Sequence, residues 1–206
     1  MSKAQSRWGE RISLPEIKME RPPSLLEAVN DRRSIRSYKP GPVALEDLAM
    51  VLHAAQGVTH PRGYRAAPSA GALYPLELHL AAGPDESIPA GCYRFIPGVR
   101  ELDPRVEGDL RSDIAGACLN QSWMAEAPCC LVVCAVYERV TRKYGDRGRQ
   151  YAHIEAGCAA QGFSLMAAAL GLGTVCVGAF RDHELQQVLN VDEFERPLLA
   201  MPLGRA

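Results

Sequence analysis

Four short stretches carry residues whose types and spacing could do chemistry. The first, Arg32-Arg33-Ser34-x-Arg36, gathers three guanidiniums around one hydroxyl. Such a set can saturate the oxygens of a single phosphate through charge-assisted, partly bidentate hydrogen bonds. Arg36 follows Arg32 by four residues, so a helix continued briefly would put both on one face. The run also reads as a solvated basic helix end. The second stretch is Pro68-Ser69-Ala70-Gly71-Ala72-Leu73-Tyr74-Pro75, small residues between stiffening prolines. Bare backbone in such a loop can approach a flat polar heterocycle, or it is simply a tight surface turn. The third is Val177-Gly178-Ala179, where the glycine lets backbone come close to something else. The last is Arg142-Lys143-Tyr144-Gly145, read as a loop leaving an interior strand, a place where site residues collect; it reads equally as a basic surface loop with a half-packed tyrosine.

Stepping outward from these residues, familiar alternatives are missing. No Gly-x-Gly-x-x-Gly follows a strand, and neither a P-loop nor a Gly-x-Ser-x-Gly elbow occurs. That argues against a Rossmann nicotinamide site and against a nucleoside triphosphatase. Lysine plus arginine number 23 against 24 acids, a net charge of −1, so no global basic field exists to hold nucleic acid or an anionic membrane. The seven cysteines are odd in number and lack C-x-x-C spacing, so neither a disulfide framework nor a zinc ribbon is indicated, and no metal site is expected. Met1–Lys18 has no apolar run of signal-peptide length, so the expected compartment is the reducing cytoplasm. Ala156–Phe180 has no charge and is long enough to span a bilayer, but its glycines and polar residues favour a buried helix followed by a short interior strand.

The elements that must position these residues follow from pattern. The length of 206 residues suits one well-filled domain. Residues 1–23 read as an irregular proline-punctuated arm, and residues 24–206 as the domain. Ser24-x-x-Glu27 is a capping box opening a helix to about Arg32. Leu45, Leu48, Val51, Leu52 and Ala55 carry helical periodicity up to Gly57. Strands are expected at 76–82, 92–96, 99–102, 131–136, 174–177 and 198–201, and helices at 106–117, 119–126, about 147–170 and 182–190. This is an α+β pattern with helices around a mainly interior sheet.

Taken together, Arg32-Arg33-Ser34-x-Arg36, Pro68–Pro75 and Tyr151…Glu155-x-Gly157…Gln161…Leu165…Gly171-Leu172-Gly173…Gly178-Ala179-Phe180 resemble the flavin-dependent nitroreductase superfamily over residues 24–205. The likeness is greatest to its branch of SagB-type dehydrogenases and azoline oxidases. The resemblance implies a central mixed, mainly antiparallel sheet wrapped by helices, and a homodimer with FMN at the interface. Arg32, Arg33, Ser34 and Arg36 would hold the FMN phosphate, ribityl chain and pyrimidine edge, with Arg205 returning to the phosphate. Pro68, Ser69, Ala70 and Gly71 would meet the isoalloxazine from the other subunit, and Val177, Gly178 and Ala179 would lie along the ring. Ala72, Cys158 and Gly162 stand where relatives often carry Asn, His and Asn. The chain ends at Ala206, immediately after Pro202-Leu203-Gly204-Arg205, where the resemblance leads one to expect a longer arm that embraces the partner.

The activity this implies is FMN-dependent reduction of a nitroaromatic, quinone or similar small-molecule acceptor by NAD(P)H. Two alternatives stand beside it. One is a peptide azoline dehydrogenase, in which Lys143 and Tyr144 resemble the pair used for proton removal. The other is a flavin-binding interaction subunit without turnover.

Overall fold

A computed structural model describes residues 8–19, 22–85 and 87–206. At its centre is a sheet of seven strands: β1 (Ile12–Ser13), β2 (Leu76–Ala82), β3 (Gly91–Ile96), β4 (Glu101–Glu107), β5 (Cys129–Val136), β6 (Leu172–Thr174) and β7 (Glu195–Arg205). Their spatial order is β1-β4-β3-β2-β5-β7-β6, and every ladder is antiparallel. β5 is a continuous apolar run because both its faces are covered, as an interior strand requires, whereas β2 alternates Leu76, Leu78 and Leu80 with Glu77 and His79 yet is buried along nearly all its length.

The two faces bury different sets. Leu76, Leu78, Leu80, Leu131 and Val133 point into one core, against α2 (Leu45–Gln56) and α5 (Arg147–Ala169). Ala81, Cys130, Val132 and Cys134 point into the other, against α3 (Arg111–Ala117) and α6 (Asp182–Leu189). The alternation is the period of two that a strand imposes. Gly162 carries no Cβ because the Ala54 carbonyl of α2 occupies that space, so the two helices of the first core meet backbone to backbone. Any larger residue there would need these helices to separate.

Several elements follow the sequence expectation closely. α1 (Leu25–Asp31) opens with the full reciprocal capping box, Ser24 with Glu27. α2 closes at Gly57, and β2 spans Leu76–Ala82. Others differ. Ile12–Ser13 pairs with Leu102 and Glu101, so the arm expected to be irregular adds an edge strand and buries Ile12 and Leu14; residues 1–7, 20 and 21 lie outside the described residues. Residues 106 and 107 continue β4 instead of starting a helix, because Val106 and Glu107 pair with Cys92 and Gly91. The helix expected from 119 begins as a 3-10 turn at Ser122, since Leu119 and Asn120 both adopt left-handed backbone. The last strand is Glu195–Arg205 rather than 198–201, held by β5 on one side and β6 on the other.

Segment 142–145 is not a loop. Glu138–Tyr144 forms α4, with an acid in its first turn, Arg142 and Lys143 in its last, and Gly145 stopping it at φ 56°. That charge order complements the helix dipole. The expected strand 174–177 is also shifted: regular pairing ends at Thr174, and Val177 makes a separate bridge to Ala200. Among the described residues no helix is long and apolar enough to cross a membrane.

Candidate active site

Two clusters gather the candidate residues. The first is a strip beside β6. Arg32 closes α1, and the chain then runs extended so that Ser34 bridges Thr174 in parallel and the Ile35 N–H donates to the Thr174 carbonyl at 3.1 Å. Gly173 makes this approach possible, because a Cβ there would lie 2.7 Å from the Ile35 Cβ. Further along, Lys39 bridges Arg205, its N–H donating to the Arg205 carbonyl at 2.9 Å. Val177 exchanges both backbone hydrogen bonds with Ala200 at 2.9 Å, which leaves Gly178 and Ala179 as an exposed ledge. Arg32 lies close enough to Cys176, at the head of that ledge, for its charge to oppose the upward push that burial gives the thiol.

The arginines of the strip are not equivalent. Arg33 donates from Nη1 to the Asn30 and Arg32 carbonyls at 2.7 and 2.8 Å, so part of its guanidinium caps α1. Arg36 and Arg205 are exposed and Arg32 is half-buried, and none of the three makes an ion pair among the described residues. The Thr174 hydroxyl, buried opposite Ser34, has no hydrogen-bond partner. Unpaired cations, a free hydroxyl and open backbone at Gly178 suit a phosphorylated ligand carrying a flat ring.

The second cluster surrounds Gly71. Within the loop, Gly71, Ala72 and Tyr74 all adopt left-handed backbone, at φ 64°, 53° and 47°. Two of these are not glycine, and such conformations persist only where the surroundings over-determine them. Here Ser69 Oγ accepts the Tyr74 N–H at 2.9 Å, Arg139 donates to the Tyr74 carbonyl at 3.1 Å, and the Arg65 guanidinium lies 4.4 Å from the Tyr74 ring centre. Arg139 is itself anchored by Glu77. On the Cα side of Gly71 the side chains of α4 converge: the Tyr144 hydroxyl would stand 2.7 Å, and the Lys143 ammonium 3.0 Å, from a Cβ at that position. Pro68–Gly71 and Lys143–Tyr144, distant in sequence, are therefore one place.

Beneath the loop lies a buried relay that the sequence reading did not single out. Arg65 Nη1 donates to Gln56 Oε1 at 2.9 Å, and Gln56 Nε2 donates to Glu155 Oε1 at 3.2 Å. Gln56 and Glu155 are fully buried, and Glu155 Oε2 has no hydrogen-bond partner. Burial pushes the Glu155 carboxyl up, while the neighbouring Ser69 hydroxyl, the Gln56 amide and the Arg65 charge oppose it. Its sequence signal was position: a lone acid opening a charge-free run of a helix. Among the described residues no hydrogen bond or ion pair joins the Gly71 cluster to the strip beside β6.

The sequence profile of the nitroreductase family matches residues 29–205, which include both clusters. The chain belongs to the nitroreductase family. A nitroreductase-family relative from Methanocaldococcus jannaschii, described as a nitroreductase, is 43% identical over 197 residues, covering 94% of this chain and 96% of that protein. The FMN reductase [NAD(P)H] of Bacillus subtilis is 26% identical over 194 residues, covering 87% of this chain and 65% of that protein. A crystal structure from Ralstonia eutropha, also described as a nitroreductase, superposes with a TM-score of 0.82 at 28% identity, covering 100% of this chain and 92% of that one. The nitroreductase fold and an oxidoreductase class follow from this membership.

Proposed function

We propose that the chain is an FMN-dependent oxidoreductase that uses NAD(P)H to reduce a nitroaromatic, quinone or similar acceptor. The observation that carries this reading is the pair of bridges, Ser34 to Thr174 and Lys39 to Arg205. They bring the N-terminal arginines, the Val177–Ala179 ledge and Arg205 onto one strip. Arg32, Arg36 and Arg205 hold the phosphate, Ser34 and Arg33 hold the ribityl chain and pyrimidine edge, and Val177, Gly178 and Ala179 lie along the ring. Pro68, Ser69, Ala70 and Gly71 meet the ring bound by a second copy. Bound FMN supplies hydride transfer. The protein's part is orientation and field: a guanidinium at the pyrimidine edge favours the reduced, anionic ring.

A homodimer belongs to this reading. Leu25, Leu26 and Val29 on α1 and Ile154 on α5 are exposed apolar side chains on two helices that pack together. A second copy is the natural cover for such a face. The seven free cysteines suit a reducing compartment such as the cytoplasm.

One observation favours the azoline-dehydrogenase reading as a second choice, namely the convergence of Lys143 and Tyr144 on Gly71. A base there removes a proton from the carbon next to the hydride donor, with Tyr144 orienting the substrate or relaying the proton. Lys143 is exposed in the single chain, so the cover that a base requires comes from substrate or from the second copy.

The experiment is steady-state oxidation of NADH and NADPH by the FMN-loaded protein with menadione or nitrofurazone, repeated on Lys143→Ala and Tyr144→Phe. Turnover retained in both variants supports the general reductase. If only dehydrogenation of a thiazoline peptide occurs, and both substitutions abolish it, the second reading replaces the first. The absence of both activities in a flavin-loaded protein overturns both.

A further inference from the structure

The stretch from Glu138 to Arg149 holds Arg139, Arg142, Lys143, Arg147 and Arg149 against two acids, Glu138 and Asp146. In a chain of net charge −1 this is a local excess of positive charge, set at the junction of α4 and α5. Among the described residues only Arg139 of these five is ion-paired, to Glu77. Three of the others are ordered in a different way. The Lys143 ammonium lies 5.3 Å from the Tyr144 ring centre, Arg147 lies 5.7 Å from that of Tyr151, and Arg149 lies 4.9 Å from that of Tyr137. Aromatic faces hold a cation in place without cancelling its charge as a carboxylate would. These cations are therefore pre-ordered and still available to an anion.

Two of the three form one continuous stack. Tyr144 meets Tyr151 edge to face, with ring centres 5.2 Å apart and planes at 87°. The order is Lys143, Tyr144, Tyr151, Arg147, and its Lys143–Tyr144 end stands on Gly71. Arg149 belongs elsewhere, because its ring, Tyr137, is engaged with His153 at 2.5 Å.

We propose that Arg147 and Tyr151, continuing from Lys143 and Tyr144, form a subsite for the anionic group of the compound that exchanges hydride at this site. The inference rests on the flavin reading above, which puts the reacting ring bound by a second copy at Gly71. The ligand class is a conjugated molecule whose reactive end sits at the Gly71 loop and whose carboxylate or phosphate reaches outward along the stack to Arg147. Either the carboxylate of an acceptor or the diphosphate of the nicotinamide donor has that chemistry. Guanidinium is the better partner for both, since its planar fork pairs bidentately with either group.

The test measures dissociation constants by calorimetry on the FMN-loaded protein, with benzoate, its neutral counterpart benzamide, and NAD+ as probes. The wild type is compared with Arg147→Gln and with Arg149→Gln, which removes the same charge away from the stack. Arg147→Gln is expected to weaken benzoate, NAD+ or both about tenfold, the loss of one charge-assisted bond, with benzamide changed by less than about twofold and Arg149→Gln leaving all three probes near wild type. Loss confined to NAD+ assigns the subsite to the donor's diphosphate, and loss confined to benzoate assigns it to an acceptor carboxylate. Equal weakening by both variants, or no weakening by Arg147→Gln, overturns the subsite while the flavin reading stands. Failure of the wild type to take up FMN overturns the flavin reading, and this inference with it.

Discussion

The Tyr144 hydroxyl stands 2.7 Å from the point that a Cβ on Gly71 would occupy. Gly71 also holds left-handed backbone at φ 64°. Gly71→Ala therefore meets two penalties, of which the backbone is the larger, because a tyrosine tip can swing aside. The expected cost is about 1–2 kcal/mol, or roughly 2–8 °C in Tm. Adding Tyr144→Phe relieves the contact and not the backbone, so the double variant stays close to Gly71→Ala in thermal unfolding. Full recovery in the double variant would show that the contact, not the conformation, requires glycine.

The Arg65–Gln56–Glu155 relay ties the loop to both helices of the first core. Gln56→Leu fills the space but leaves a buried carboxylate and a half-buried guanidinium without their shared partner. It should cost about 2 kcal/mol by urea unfolding, with the slope of the transition unchanged. A cost under about 0.5 kcal/mol would mean that the relay is idle.

On the opposite face of the sheet, buried His79 meets Glu195 at 2.8 Å. Burial alone would raise the Glu195 carboxyl, but the His79 hydrogen bond and charge, with Arg94 and Arg105 behind them, hold it below the usual glutamate range near 4.5. A carboxyl depressed in the folded state stabilises the fold above its unfolded value, and that stabilisation is lost as pH falls through the folded one. Glu155 acts in the opposite sense, its raised carboxyl penalising the fold as pH rises from 4.5 through its folded value. Comparison with His79→Gln isolates the first effect. The Tm difference between wild type and His79→Gln should shrink as pH falls below 4.5. A difference constant from pH 7 to pH 3.5 would contradict the assignment.

The legibility of this chain divides along physical lines. Local signals were readable: the Ser24–Glu27 capping box, the α2 periodicity, the alternation of β2 and the doubly buried run of β5 all appear where pattern puts them. α4 was misread as loop, because the basic tail Arg142-Lys143 was taken alone and not together with Glu138 as the two ends of a dipole-matched helix stopping at Gly145. Long-range pairing was not readable. Nothing near Leu198 announces that β7 extends to Arg205, because that length is set by β5 and β6 on either side. The arginines, the Gly71 loop and Lys143–Tyr144 were each visible as separate motifs. Only folding places Lys143 and Tyr144 on Gly71, and only folding connects Arg65 to Glu155 through a glutamine without distinctive spacing.

The exposed apolar residues of α1 and α5 give the dimer its test. Light scattering of the wild type should return twice the chain mass. Leu26→Glu combined with Ile154→Glu should shift it towards the monomer and weaken FMN binding, since each site then loses its second copy. An unchanged dimer in the double variant would place the interface elsewhere.

The account stands most directly on what the strip of Arg32, Ser34, Arg36 and Arg205 holds. The measurement is the visible absorbance spectrum of the purified protein, followed by identification of any flavin released on denaturation. The prediction is the two-band spectrum of an oxidised flavin, with FMN released and no FAD, and a weakened cofactor affinity when Arg32 and Arg36 are both replaced by alanine. A colourless protein that FMN cannot titrate, or one that releases FAD, would contradict it.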